Sequence, residues 1–419
     1  MAQQFGRFAM TGAMRAKSLL NRSLLVAGHS VNQLLPAITG ILTSLLVIRF
    51  GSISLWGEFV YVTVVFSIVN SVIGWGNKEF LLRSFSRAPR SIDKFWQRSV
   101  IARLPLLLLI VPVLFIFTGI GWHGIAFAAL WGVAVFVHQS FESLVMFHKR
   151  FTVAATLEVI AAVVLLAEIV WLRDRLTLDV LLLIFTIPAW LKAIAIAIYF
   201  RKQAFANWIG KFDAAFFRDA QLFFLLTLVG LLEIKIDLLC INYFLPKSEV
   251  GRYQVLIMFL IYLKNAGFFL TAPFIKNIYR MNRASLHKLR NRLFAFGAPL
   301  LLIGIAAIFV ALSQIYGFNF SRGIYLLGYL FAVPHLLYLI ETYQLIREKR
   351  ERIVLMVSIA GIGCNLLLNM LLIPQFGLTG AIFSSAISQW MILILYRRSE
   401  DSFNRRGHGG YRENRAFLN

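Results

Sequence analysis

Glu233-Ile234-Lys235-Ile236-Asp237 places three ionisable side chains within five residues, between flanks 223–230 and 238–245 that are almost wholly apolar. A charge at the centre of a helix in hydrocarbon costs about 2.5–3.5 kcal/mol on insertion scales, so such groups face a bundle interior or a water-filled cavity. Cations held at that depth can receive an anionic headgroup, and carboxylates there can bind and release a coupling ion. Glu233 and Asp237, four residues apart, share one helical face, while Lys235 points to nearly the opposite side. Lys192 and Lys264 are the other embedded cations; Glu142, one turn after His138, is an embedded acid, as are Glu158, Glu168 and Glu341.

Two arrangements satisfy these charges. In one, Lys235, Lys264 and Lys192 form a cationic cavity for an anionic headgroup, with Glu142, Glu233 or Asp237 coupling an ion. In the other, acids and lysines neutralise each other between helices as buried pairs. The pattern favours the cavity for Lys235 and Lys264, and leaves Glu142 and the Glu233/Asp237 pair open. Glu158 and Glu168 lie at different depths of one helix and read as structural, Glu168 by snorkelling to the outer end. His138 and His335 read as packed or hydrogen-bonded rather than as proton relays. Asn365 and Asn369, stacked one turn apart, read as glue between helices. Trp56, Trp122, Trp171, Tyr199, Tyr316 and Tyr396, near span ends, read as interface anchors.

The elements that carry these residues follow from hydropathy. The chain has 419 residues, 59% hydrophobic and 15% charged, with mean hydropathy +0.75, which places it among polytopic membrane proteins. A spanning helix needs about 20 mostly apolar residues. Twelve such spans are predicted, at 25–48, 57–80, 100–119, 124–147, 151–172, 178–200, 219–244, 254–275, 294–316, 323–345, 353–373 and 377–396. Their length excludes barrel strands of about 10 alternating residues, so the fold is all-α. With both ends on one side, 33 of the 42 Lys and Arg residues fall on that side and six on the other. That bias predicts both termini in the cytoplasm of a multi-pass membrane protein. It also accounts for the net charge of +23 without nucleic acid, because no basic patch belongs to a soluble domain.

A repeat organises the spans. Ser54, Gly57, Phe59 and Phe80 align without gaps with Ser248, Gly251, Tyr253 and Phe274, 194 residues later, and each copy then runs into a basic loop, 83–103 or 276–292. Six spans per copy is an even number, so two lobes with the same orientation enclose a central cavity. The predicted units are an N-terminal amphipathic segment (1–22), an N-lobe (23–200), a cytoplasmic linker (201–218), a C-lobe (219–396) and a disordered tail (397–419). Cys240 and Cys364 fall inside spans and have no metal-ligand spacing, which argues against a disulfide framework and a metal site. There is no phosphate loop of the Gly-x-x-x-x-Gly-Lys-Ser/Thr type, no His-Glu-x-x-His, no Gly-x-Ser-x-Gly and no clustered Asp-x-Asp. An ATP-driven pump subunit and an enzyme are disfavoured, no cofactor is expected, and no outer loop is long enough to serve a membrane glycan polymerase or ligase.

The run Asp237…Ser248-Glu249-Val250-Gly251-Arg252-Tyr253, and Asn365…Asn369-Met370-Leu371-Leu372-Ile373-Pro374-Gln375-Phe376-Gly377-Leu378-Thr379-Gly380-Ala381, resemble corresponding segments of the polysaccharide-flippase branch of the multidrug/oligosaccharidyl-lipid/polysaccharide (MOP, MATE-like) exporter superfamily. The nearest resemblance is to Wzx-type O-antigen flippases, and it covers nearly the whole chain. It implies a substrate of oligosaccharide on undecaprenyl pyrophosphate, a cationic cavity for the pyrophosphate, and alternating access coupled to H⁺ or Na⁺. Membrane lipids, a polysaccharide polymerase and a chain-length regulator are the partners it implies. The departure is that Glu233 and Asp237 stand beside the cations, where they repel a pyrophosphate unless paired or protonated. A cation-coupled drug antiporter of the same superfamily is the alternative within transport.

Overall fold

The computed structural model describes residues 35–204, 212–271, 278 and 281–416. The predicted amphipathic segment 1–22, the start of the first span and the middle of the linker lie outside the described residues. The chain forms α1 (Leu35–Phe50), α2 (Ile53–Gly74), α3 (Asn77–Arg87), α4 (Ile92–Arg103), α5 (Ile110–Thr118), α6 (Trp122–Phe147), α7 (Phe151–Trp171) and α8 (Leu178–Tyr199). After a short α9 (Arg201–Ala204) come α10 (Ala215–Phe244), α11 (Lys247–Lys264), α12 (Ala266–Thr271), α13 (Arg283–Val310), α14 (Arg322–Arg347), α15 (Glu351–Phe376) and α16 (Leu378–Ala416). No strand occurs among the described residues. Among the described residues nine helical segments are long and apolar enough to cross a membrane, and α1, α10 and α11 occupy the other three predicted spans. The helix α16 runs on to Ala416, through the stretch expected to be a disordered tail.

Local signals set the helix ends. Ser52 caps α2 by accepting from the Leu55 N–H at 3.0 Å, and Thr177 and Asn282 do the same for α8 and α13. The second span breaks at Trp75 (φ 42°) and Gly76 (φ 61°), both left-handed, where the Gly76 Cα lies against the backbone of Phe223 and Phe224. Only glycine combines that φ with so close an approach. The break turns α3 away from α2 and carries Asn77 and Lys78 under the bundle.

The duplication is visible in the packing. In the first half α6 packs on α8 and α7 on α8; in the second α14 packs on α16 and α15 on α16. The turns after α6 and α14 are the same turn, 200 residues apart. Lys149 (φ 55°) and Lys349 (φ 58°) are both left-handed, and the N–H groups of Arg150 and Arg350 each bond at 2.9 Å to the carbonyl five residues back. The halves meet where α2 crosses α11. A Cβ on Gly57 would fall on the Lys247 carbonyl, and one on Gly251 would come within 2.5 Å of the Ile53 carbonyl oxygen. Ile53 and Lys247 are 194 residues apart, as are Gly57 and Gly251, so the contact is its own pseudo-twofold mate. At the other, basic end, Trp75 stacks on Phe224 at 4.0 Å and donates to the Phe217 carbonyl at 3.0 Å, and Arg98 pairs with Asp213 at 2.8 Å.

Three of the six expected interface anchors are interior residues instead. Trp56 is buried in the core beside Phe59. The Tyr316 hydroxyl is tied at 2.8 Å to Ser44 and to the Ile41 carbonyl, and Tyr396 is stacked on Tyr338. Each lies near a span end in sequence, but its side chain turns to partners inside the bundle. Trp122, Trp171 and Tyr199 are exposed.

Candidate functional site

The polar interior has two parts. The first is a set of adjoining cavities bounded mainly by α2, α3, α6, α7 and α8. One of about 540 Å³ is lined by Thr39, Thr63, Trp131, Glu158 and Lys192, and by Lys235 reaching in from α10. A second, of about 400 Å³, is lined by Ser67, Asn70, Ser71, Lys78 and Arg103, with Thr227 and Leu231 from α10. A third, of about 290 Å³, opens beside Pro36, His138 and Ile196. Glu142 lines all three, so they adjoin around this residue. Aromatic rings form part of the wall of the largest, where Phe66 supports Trp131 at 4.2 Å and Phe59 contacts Phe185 at 4.5 Å.

Around these cavities the charges are partly paired. Lys192 reaches Glu158 at 3.0 Å and Lys78 reaches Glu142 at 3.2 Å. The Lys78 and Glu142 side chains are 43% and 36% exposed, so this pair is wet. Two cations have no carboxylate within ion-pair distance among the described residues, Lys235 and Arg103. Arg103 is 1% exposed. Its Nε donates to the Ser99 carbonyl at 3.1 Å, its Nη2 to Ser140 Oγ at 3.0 Å, and its guanidinium lies over the Phe136 ring at 5.0 Å.

The second part is more enclosed and sits between α10, α11, α14, α15 and α16, with the Lys264 and Glu233 side chains 10% and 20% exposed. Lys264 Nζ bonds Glu233 Oε1 at 2.9 Å, and the same oxygen accepts from Gln389 Nε2 at 3.0 Å. Gln389 in turn accepts from the Tyr338 hydroxyl at 2.6 Å. One turn along, Asp237 is 3% exposed and accepts from four neutral donors: Tyr253 at 2.6 Å, Ser385 at 2.5 Å, Asn365 at 2.7 Å and Asn369 at 2.8 Å. A carboxylate with four donors and no facing cation ties four helices into one unit.

The residues expected to act together are therefore divided. Lys235 and Lys192 face a cavity, whereas Lys264 is locked to Glu233. Glu142 is at the cavity and accessible, while Glu233 and Asp237 belong to the enclosed network. The two faces of α10 account for this division: residues 233 and 237 turn towards α15 and α16, and residue 235 towards the first half. Asn365 and Asn369 do hold helices together, through Asp237. His335 packs edge-on against Tyr338, and neither ring nitrogen finds a hydrogen bond among the described residues. No group of three or more His, Cys, Asp or Glu that could hold a metal ion occurs among the described residues. Arg103 was hidden as a site residue because it closes a run of basic loop residues, although the predicted span 100–119 already contains it. Lys78 was hidden for the same reason.

The sequence matches no family model, and no curated protein matches it. Solved structures do match over most of the chain. The lipid II flippase MurJ in an inward closed conformation is 14% identical over 89% of this chain and 87% of that one, with TM-score 0.65. The chain has the MOP transporter fold. A MOP superfamily transporter from Pyrococcus furiosus is 12% identical over 91% of this chain and 96% of that one, with TM-score 0.60. A eukaryotic MATE transporter is 12% identical over 90% and 95%, with TM-score 0.60. At these identities the likeness is one of fold: twelve helices in two six-helix lobes related by a parallel repeat, as the span count and the 194-residue offset predict.

Proposed function

We propose that this protein is a flippase that carries an undecaprenyl-pyrophosphate-linked oligosaccharide, an O-antigen or similar polysaccharide repeat unit, to the periplasmic leaflet of a bacterial inner membrane. The observation that carries this reading is Lys235. It is the cation of α10 that has no partner among the described residues, and it projects from one half into the 540 Å³ cavity of the other. A free ammonium at membrane depth is costly to hold unless an anion visits it. Lys192 borders the same cavity with its charge already met by Glu158, so it is a weaker contact for the headgroup. Lys264 steadies the second half instead of touching substrate. In this reading the two lobes, 23–200 and 219–396, rock about the glycine crossing of α2 and α11, with 201–218 as their cytoplasmic link. Glu142 is the coupling carboxylate that the solvent reaches, and Glu233 and Asp237 couple an ion only if their network opens.

A deletion strain tests the assignment. Loss of the gene accumulates repeat units on the cytoplasmic face, Lys235→Ala fails to restore export at normal protein level, and Lys235→Arg restores part of it. If Lys235→Ala exports like wild type, the cationic-cavity assignment is wrong. A cation-coupled drug antiporter is the second reading, because Trp131, Phe59 and Phe185 stand beside Glu142 and Glu158 in a form that suits a lipophilic cation. Normal surface glycan with altered drug sensitivity in the same strain would select it. A polymerase mutant would still display single units outside.

A further inference from the structure

The geometry points to a second binding site at the basic end of the first half, in which Arg103 anchors a phosphorylated headgroup. Arg103 is fully buried, and two of its nitrogens are engaged by the Ser99 carbonyl and Ser140 Oγ. Both partners are neutral oxygens, so its positive charge is left uncompensated in the bundle. Desolvating an ion costs several kcal/mol even after relaxation, and a counter-ion that reaches the guanidinium would recover part of that cost. The 400 Å³ cavity supplies that access, since Arg103 forms part of its wall.

The same wall is polar and unfinished. Asn70 Oδ1 and Ser71 Oγ are buried and have no hydrogen-bond partner among the described residues. The Ser71 hydroxyl can donate to an anion, and the Asn70 amide can turn its nitrogen inward, because the two ends of an amide are exchangeable by rotation. The acids of this cavity are accounted for. Glu142 faces Lys78 at 3.2 Å, and Glu79 is exposed on α3. Lys78 stands at the accessible side, so an arriving anion meets a wet lysine first and a dry guanidinium last. Guanidinium and hydroxyl donors around a small polar hollow fit the non-bridging oxygens of a phosphate or pyrophosphate group. Lys235 borders the neighbouring cavity, which shares Ser67, Gln139 and Glu142 with this one. The Arg103 site is thus a waiting position for the phosphate before it passes to Lys235. The identity of the attached lipid rests on the flippase reading; the recognition of phosphate does not.

The test uses the purified full chain in nanodiscs, with undecaprenyl pyrophosphate as ligand, undecaprenol as the phosphate-free control and inorganic pyrophosphate as competitor. Wild type is expected to bind the pyrophosphate lipid at least tenfold more tightly than the alcohol. Arg103→Gln is expected to weaken that binding about tenfold or more, with Arg103→Lys intermediate. Asn70→Asp, which supplies a carboxylate to the same wall and leaves Arg103 in place, is expected to weaken it as much without lowering the melting temperature. It keeps the proposal testable if Arg103→Gln folds poorly. Competition by inorganic pyrophosphate assigns the site to free phosphate as well as to lipid headgroups; its failure assigns the site to the lipid headgroup alone. The proposal is overturned if wild type binds lipid and alcohol equally, or if Asn70→Asp binds like wild type. Loss of binding in the variants alongside normal glycan in the deletion strain keeps the site and removes the flippase reading. Accumulated repeat units with undiminished binding in the variants does the reverse.

Discussion

In the first half of the molecule Lys78, Arg103, Glu142, Glu158 and Lys192 stand around adjoining hollows of about 290 to 540 Å³. In the second half Glu233, Lys264 and Asp237 are bonded to each other or to neutral donors, and the cavity beside Arg290 and Glu341 holds only about 10 Å³. The two halves share one helical plan, yet their embedded charges do not repeat. At the 200-residue offset Glu142, Glu158 and Lys192 meet Thr342, Ser358 and Ile392; at the 194-residue offset Glu233, Asp237 and Lys264 meet Thr39, Thr43 and Asn70. Each half therefore acquired its ionic residues on positions that are neutral in the other. The same backbone frame serves as a wet chamber on one side and a rigid strut on the other.

The sharpest way to break this comparison is to unpair the strut. Glu233→Ala leaves Lys264, 8% exposed, with no counter-charge, and removal of one partner of a buried pair costs about 3–5 kcal/mol. Thermal unfolding of the purified protein should show that loss. The double variant Glu233→Leu with Lys264→Leu should recover most of it, because packed apolar side chains replace a buried pair at little cost. A Glu233→Ala protein as stable as wild type would mean that the second half is not enclosed.

A smaller effect is expected where the halves cross. Gly57→Ala pushes a methyl group into the Lys247 carbonyl of α11, so the helices must separate, at about 1–3 kcal/mol. Gly251→Ala should cost a similar amount through Ile53, since the two contacts are pseudo-equivalent. Cysteines placed on 53 and 247 should then cross-link less readily in either alanine variant. Equal cross-linking would show that the crossing can absorb a side chain and is not a tight pivot.

Much of this frame was legible from hydropathy and spacing. Each of the twelve passes overlaps a predicted stretch, and the register 54/248, 57/251 and 59/253 marked the two crossing glycines as equivalent positions of the repeat. What sequence could not fix was which neighbour each charge meets. Lys264 and Lys235 look alike as embedded lysines, but only the rotation of α10 and the distance to α11 decide that one meets Glu233 and the other a cavity. The second turn of the repeat, Lys149 against Lys349, was also unread, because its offset has slipped by six residues and left-handed lysines carry no compositional mark. Arg103 shows the opposite error. Charge counting assigned it to a loop, whereas the Ser99 carbonyl and Ser140 on α6 hold its guanidinium inside the bundle.

Within the wet half, ion pairs should matter little to stability. Lys192 and Glu158 are about a quarter exposed and lie 3.0 Å apart, and pairs in contact with water contribute about 0–1 kcal/mol. A double-mutant cycle on Lys192→Ala and Glu158→Ala should return a coupling in that range, against several kcal/mol for Glu233 and Lys264. A coupling as large as that of the second-half pair would mean that the cavity excludes water.

The smallest stability change is expected at Lys235, and there the comparison is most exposed to failure. With no partner among the described residues, Lys235 contributes no ion pair to the fold, and its truncation removes a charge that the bundle must otherwise keep hydrated at membrane depth. Lys235→Ala should therefore unfold within about 0.5 kcal/mol of wild type, or slightly higher, while export of glycan is lost. That combination distinguishes a residue kept for what visits the cavity from one kept for what holds the helices. If Lys235→Ala instead melts lower by more than about 1 kcal/mol, its ammonium has a structural partner. The asymmetry between a chamber and a strut would then have to be redrawn with α10 as part of the strut on both faces.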